Sequence, residues 1–233
     1  MARILLGQGY VVSGSDRSLN GLTEALAHDG ATIYAGHDAA NVAGADALII
    51  SSAVKPDHPE VAAARAAGIP VYKRSDIMAD LMAGKTVIAV AGTAGKTTTT
   101  AMIAHILIET GKDPSYIIGG VLTTTGQNAG VGAGDAFVVE ADEYDNMFLG
   151  LRPNIAVVTN VEWDHPDFFP TPEAMRRSFE QFIDLLPYDG TLILNVDLPM
   201  ATPLRGEAAS RMVAVRRLSW RCQCAQRRRA AAI

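Results

Sequence analysis

The chain has 233 residues, 48% of them hydrophobic and 19% charged, with 20 Lys+Arg against 25 Asp+Glu for a formal net charge of −5. That balance excludes whole-chain disorder, and the length provides one large or two modest domains with real cores. No apolar run approaches the ~20 residues of a membrane-spanning helix, two cysteines make no disulfide framework, and MARILLGQGYVVSGSD lacks a signal-peptide layout. The expected setting is cytoplasmic, without membrane insertion.

In chain order, Met1–Gln8 reads as the end of a helix, Tyr10–Ser13 as a strand, Leu19–His28 as a helix and Ala31–Tyr34 as a strand. Ala47–Ser51 (ALIIS) reads as a buried strand, Pro59–Ala67 as a helix, Pro70–Lys73 as a strand and Ser75–Met82 as a helix. Alternation of this kind predicts a parallel sheet with helices on its faces, because parallel neighbours need a crossover. Such a sheet normally opens with a strand that feeds the first helix through a Gly-rich turn, so this sheet is expected to lack its first strand. Ala83-Gly84-Lys85 is the expected joint between a domain at 1–84 and a second at 85–204.

The second domain opens with Thr86–Ala91 (TVIAVA), a continuous apolar run that fits a strand buried on both faces. A helix over Thr97–Thr110, strands at Ala136–Val139, Ile155–Thr159 and Gly190–Asn195, and an amphipathic helix over Pro172–Leu186 follow. Met175, Phe179, Phe182 and Leu186 form the stripe of that last helix. Thr123–Asn128 reads as a polar loop. The final stretch, 205–233, holds eight arginines, one acid (Glu207) and both cysteines, Cys222 and Cys224. It is expected to be a non-native basic tail, as from a reading-frame slip, and not a nucleic-acid-binding arm; Cys-x-Cys lacks zinc-site spacing.

Three motifs carry chemistry. Gly92-Thr93-Ala94-Gly95-Lys96-Thr97-Thr98 follows a strand and opens a helix, so backbone N–H groups converge on one spot and favour phosphate. Lys96 would reach the terminal phosphates and the Thr97 hydroxyl would suit magnesium. The strict G-x-x-x-x-G-K-[ST] pattern fails at position 90, which is Val. The acidic run Glu140-Ala141-Asp142-Glu143-Tyr144-Asp145 ends a strand where open α/β sheets place ligands, and strand alternation puts Glu140 and Asp142 on one face, able to approach one cation. Thr159-Asn160-Val161-Glu162-Trp163-Asp164-His165 clusters polar groups at another strand end; His165 could ligate a metal or be simply solvated.

Together, GTAGKTTTT, VVEADEYD and TNVEWDHPD resemble the ATP-dependent Mur ligases of peptidoglycan synthesis, and VSGSD, IISSAVKPDHPEV, YKRSDIMADLM and GGVLTTTGQNAGVGAG extend the likeness over about residues 2–204. The resemblance implies a Rossmann-like domain for a UDP-sugar followed by a P-loop central domain, incomplete here, that uses ATP and Mg2+. It implies that UDP-N-acetylmuramate and L-alanine are the substrates, joined through an acyl phosphate. Carried over, Gly92, Thr93, Ala94, Gly95, Lys96, Thr97 and Thr98 cradle ATP with Asn160. Thr97 and Glu140 hold magnesium and His165 a second cation, while Asp16 and Asn128 contact substrate. Lys96, Glu140 and His165 are the implied catalytic set. Position 94 is alanine where the resembled ligase carries histidine. The absent first strand and the end of the likeness near Leu204 make this chain an expected inactive piece of a longer enzyme. The alternatives are a ligase that attaches a recovered tripeptide to the same sugar nucleotide, a P-loop nucleotide-binding module, and a partly folded fragment associating through an exposed sheet edge.

Overall fold

In the computed structural model, the described residues are 1–195, 197, 204 and 211–215. They form a seven-stranded sheet and two small parallel ribbons. The chain starts with helix α1 (Ala2–Gly7), strand β1 (Ser13–Asp16), helix α2 (Gly21–His28) and strand β2 (Thr32–Ala35). A 3-10 turn (Ala39–Val42), β3 (Leu48–Ile50), α3 (Pro59–Ala66), β4 (Val71–Lys73) and α4 (Arg74–Leu81) follow. β1 pairs with β2 and β3 with β4, both in parallel, as the alternation requires.

Two details depart from the sequence reading. The first strand lies three residues later than expected, and Tyr10 and Val11 are exposed. The two ribbons also do not merge into one sheet, and β3 is only half-buried. Polar links cross between them instead: Ser15 on β1 donates to Glu60 on α3 at 2.9 Å.

The large sheet comprises β5 (Thr86–Ala91), β6 (Ser115–Leu122), β7 (Gln127–Gly130), β8 (Ala136–Glu140), β9 (Ile155–Val158), β10 (Thr191–Asn195) and β11 (Arg211–Val215). Their order is β11-β10-β9-β5-β8-β6-β7, all parallel except β7 against β6. The sequence reading gives no strand over 115–122, and the loop it expects over 123–128 is a turn only as far as Gly126, where β7 follows. Gly119-Gly120 breaks the apolar run of β6 and QNAG offers no apolar alternation, so neither shows the usual period. The two strands are hydrogen-bonded as a hairpin around Gly126, whose φ of +68° a glycine tolerates. Inside the stretch read as a basic tail, Arg211–Val215 pairs in parallel with β10 as the edge strand. Trp220, Cys222 and Cys224 lie outside the described residues.

β5 sits inside the sheet and separates two cores. Val87, Ala89, Phe137 and Val139 face one, with α1, α4 and helix α6 (Pro172–Ile183) covering it; Ile88 and Val138 face the other, under helix α5 (Lys96–Glu109). Period-two alternation with both faces covered explains why these strands read as unbroken apolar runs. α6 begins at Thr171, whose side chain accepts from the Ala174 N–H at 3.1 Å, with Pro172 at its first position. Its expected stripe is buried, and Phe148 stacks on Phe182 with centroids 4.8 Å apart and meets Phe179 edge-on. Ile4, Met78, Leu81 and Met82 join the same cluster, so the core continues across the 83–85 joint.

Candidate active site

The three motifs come together because β8, β5 and β9 are adjacent and parallel, with Val90 opposite Glu140 and Ala91 opposite Val158. Their carboxyl ends carry the Gly92–Lys96 loop, the acidic run and the Thr159–His165 segment. β5 has one neighbour later in sequence on each side, which opens a crevice at the strand ends.

The loop's shape rests on glycine. Gly92 has φ +134°, and a Cβ there would stand 2.0 Å from Thr159 Oγ1. Gly95 caps α5 at φ +83° with no side-chain cap, and the first turn of α5 holds no acid. The leading N–H groups of a 14-residue helix therefore face the crevice with a partial positive charge.

Neighbouring strands brace the loop. Asn160 Oδ1 accepts from Ala94 N at 2.9 Å and its Nδ2 donates to Ala94 O at 3.1 Å. Thr159 Oγ1 donates to Ala94 O at 2.7 Å. The Thr93 hydroxyl donates to Glu162 O at 2.8 Å and accepts from Glu162 N at 2.9 Å. Asn160, expected at the nucleotide, has both ends of its amide engaged in holding the main chain at position 94.

Thr97 and Glu140 meet as the sequence implied. Thr97 Oγ1 donates to Glu140 Oε1 at 2.9 Å, and Gly119 N donates to Glu140 Oε2 at 2.7 Å. Neighbouring ligands of an octahedral magnesium at 2.0–2.1 Å lie about 2.9 Å apart. The hydroxyl and carboxylate therefore fit that ion with little movement. Gly119 escaped the sequence reading although a glycine pair inside a β-branched run marks a close approach; a Cβ there would fall 2.8 Å from Glu140 Oε2.

Asp142 does not join Glu140. β8 ends at Glu140, and Asp142 Oδ1 instead accepts from Tyr144 N at 3.1 Å within a turn. The alternation argument fails because the strand has already stopped. The central carboxylate is Glu143, fully buried, with an oxygen 2.8 Å from Lys96 Nζ. Burial pushes its carboxyl above the usual range, against the opposing hydrogen bond from Lys96. His165 stands beside it, Nε2 3.8 Å from Glu143 Oε1 and 3.9 Å from Asp164 Oδ2. Tyr144 meets the His165 ring edge-on, and its hydroxyl donates to Asp167 Oδ2 at 3.0 Å. Lys96, Glu143 and His165 thus stand in one line next to the Thr97–Glu140 pair. Thr98 is exposed in the first turn of α5.

Asp16 and Asn128 are not part of this cluster. Asp16 ends β1, where its carboxylate accepts from Ser18 N at 3.0 Å. Asn128 lies half-buried on β7, at the edge of the sheet.

Residues 90–223 match the Mur ligase middle domain, and residues 1–86 match the catalytic domain of the same family. The chain belongs to the Mur ligase family. Among its relatives, the UDP-N-acetylmuramate–L-alanine ligase of Renibacterium salmoninarum is 51% identical over 212 residues, covering 91% of this chain and 45% of that protein. The corresponding ligase of Maricaulis maris is 46% identical, covering 91% of this chain and 46% of its own length. Two solved Mur ligases superpose closely. The UDP-N-acetylmuramate:L-alanyl-γ-D-glutamyl-meso-diaminopimelate ligase of Neisseria gives a TM-score of 0.83 at 28% identity, over 93% of this chain and 74% of that one. The UDP-N-acetylmuramate–alanine ligase of Thermotoga maritima gives 0.77 at 29% identity, over 88% of this chain and 47% of that one. The chain therefore spans a little under half the length of the curated relatives it matches. Among the described residues, no helix of this Mur ligase chain is long and apolar enough to cross a membrane.

Proposed function

We propose that this Mur ligase chain carries the sugar-nucleotide-binding and ATP-binding parts of a cytoplasmic ligase that joins L-alanine to the carboxylate of UDP-N-acetylmuramate. The reading rests on the Thr97–Glu140 pair at 2.9 Å, set beside Lys96 at the open N-terminus of α5. In the proposed reaction, the muramoyl carboxylate takes the γ-phosphoryl group of ATP, releasing ADP. The amine of L-alanine then forms the amide and expels inorganic phosphate.

Each residue has a task in that scheme. The α5 N–H groups and the Gly92–Gly95 backbone receive phosphate oxygens, with Thr93 and Ala94 fixed by Glu162, Thr159 and Asn160. Lys96 exchanges part of its Glu143 contact for phosphate, so positive charge is held where two anions must meet. Thr97 and Glu140 hold magnesium, which supplies further positive charge to the phosphates. His165 is positioned by Glu143 on the same side of the crevice. Asp16, at the end of β1, is the proposed contact for the uridine end, and Asn128 for the sugar.

The tripeptide-attaching alternative draws on the close superposition with the Neisseria enzyme, but the 51% identity with an L-alanine ligase favours L-alanine. Calorimetric titration of ATP into the folded chain, with and without magnesium, tests the nucleotide site. Magnesium-dependent heat is expected, and its absence removes the proposal. Thermal stabilisation by UDP-N-acetylmuramate separates the ligase reading from a bare nucleotide-binding module, which predicts none.

A further inference from the structure

We propose that His37, His58 and Glu60 form a binding site for a divalent transition-metal ion, with zinc the best chemical match. One nitrogen of each imidazole and one carboxylate oxygen lie within 4.8 Å of one another. Tetrahedral zinc holds such ligands about 3.3 Å apart, a contraction within reach of side-chain adjustment, and two histidines with one glutamate are a zinc donor set that leaves the fourth position to water.

Two independent features of the cluster call for a cation. Glu60 is only 8% exposed, yet among the described residues no lysine or arginine pairs with it; its sole ionic neighbour is His37 Nδ1 at 3.9 Å. A buried carboxylate without a cation is costly. Asn41 Nδ2 at 2.8 Å and Ser15 Oγ at 2.9 Å each donate to one of its oxygens, and both donors are neutral. His58 Nδ1 is buried with no hydrogen-bond partner. The rings of His37 and His58 meet edge-on, with centroids 4.6 Å apart.

Proton counting prepares His37 as a ligand. The single Ser15 hydroxyl proton goes to Glu60 Oε2, because an ionised carboxylate only accepts. The 2.9 Å contact between Ser15 Oγ and His37 Nδ1 must then be an N–H donating to oxygen. A neutral His37 consequently keeps Nε2 free to ligate, while Nδ1, 3.9 Å from Glu60 Oε1, is the nitrogen held by Ser15. Metal-binding histidines commonly have this arrangement, with the second ring nitrogen donating to a fixed acceptor; Ser15 and Asn41 supply the outer hydrogen bonds.

The position also gives the ion a task. His37 follows β2, whereas His58 and Glu60 open α3, between β3 and β4. The site would therefore cross-link the two parallel ribbons, which no ladder joins among the described residues, through side chains close to the end of β1.

The test is calorimetric titration of zinc into the chelator-stripped full chain carrying Cys222→Ser and Cys224→Ser, which removes competing thiolates. Cobalt(II) absorption reports the geometry. One-site binding with a tetrahedral cobalt spectrum and a zinc-dependent rise in thermal midpoint are expected. His58→Asn should weaken binding by about tenfold or more and abolish the thermal rise, on the scale of ligand-shell losses. Asparagine is a favoured residue at the position His58 occupies before α3, so this variant keeps the helix start. His37→Asn, in an exposed turn, should act alike and provides a second reading independent of α3. No zinc heat, or heat unchanged by both substitutions, overturns the site.

Discussion

Lys96 Nζ stands 2.8 Å from a carboxylate oxygen of Glu143, and Glu143 is completely buried. The lysine at the mouth of the phosphate-binding loop is therefore already neutralised from below. Its partner cannot easily turn to water, so the pair fixes where the ammonium stands. Removing one partner of a buried pair costs about 3–5 kcal/mol, since the other charge is left uncompensated.

Lys96→Met should lower stability by an amount that grows with pH. The folded-state pKa of Glu143 is raised above the ordinary 4.5, so folding favours its protonated form more than the unfolded chain does. The contribution of such a group is full below 4.5 and is lost as pH rises through the folded pKa. Without Lys96 that pKa climbs further. Urea melts of wild type and variant between acid and neutral pH should diverge upward with pH; parallel curves would show the pair carries no such coupling.

Thr97→Ala and Glu140→Gln should each reduce magnesium-dependent ATP binding by at least the ~10–100-fold that loss of a metal-orienting partner costs. Binding measured without magnesium should change much less. Calorimetry in the two conditions separates the effects.

Gly92→Ala places a Cβ 2.0 Å from Thr159 Oγ1 at a φ of +134°. Overpacking and backbone strain together should cost about 2–5 kcal/mol, read as a shifted denaturation midpoint. Gly119→Ala differs, because its Cβ meets the Glu140 carboxylate at 2.8 Å. It should displace Glu140 and weaken magnesium-dependent binding more than it weakens the fold.

Phe179→Ala opens a void against Phe148 in a fully buried cluster and should cost about 3–5 kcal/mol. Chemical denaturation measures it directly, and a loss under ~1 kcal/mol would mean that α6 does not pack as described.

Glu60→Gln carries the opposite pH signature to Lys96→Met. Glu60's folded pKa lies below its ordinary 4.5, so its stabilising share is present above that value and vanishes as pH falls through the folded pKa. With metal removed by chelator, the variant should be less stable than wild type by about 1.5–3 kcal/mol at neutral pH. The gap should close in acid.

The sequence was most legible where one physical signal dominates. TVIAVA, AFVV and IAVVT are strands because both faces of the large sheet are covered, and each keeps its expected place within a residue or so. The α6 stripe was equally plain. The hairpin of β6 and β7 was not, since two glycines and a polar run hide its pairing, and β1 fell three residues late. Among the site residues, Lys96, Thr97 and Glu140 follow from motif and strand end alone. Glu143 was one acid among four, and only its burial under Lys96 singles it out.

By itself the amino-acid order determined the parallel α/β class, the glycine-bent loop before α5 and the acids at a strand end, because these depend on local periodicity and backbone freedom. Tertiary structure alone decided that Gly119 must leave room for Glu140, that Asn160 grips position 94, and that Glu143 lies between Lys96 and His165. Those relationships join residues tens of positions apart. Strand order and register in the folded sheet create them, and no short window of sequence encodes either.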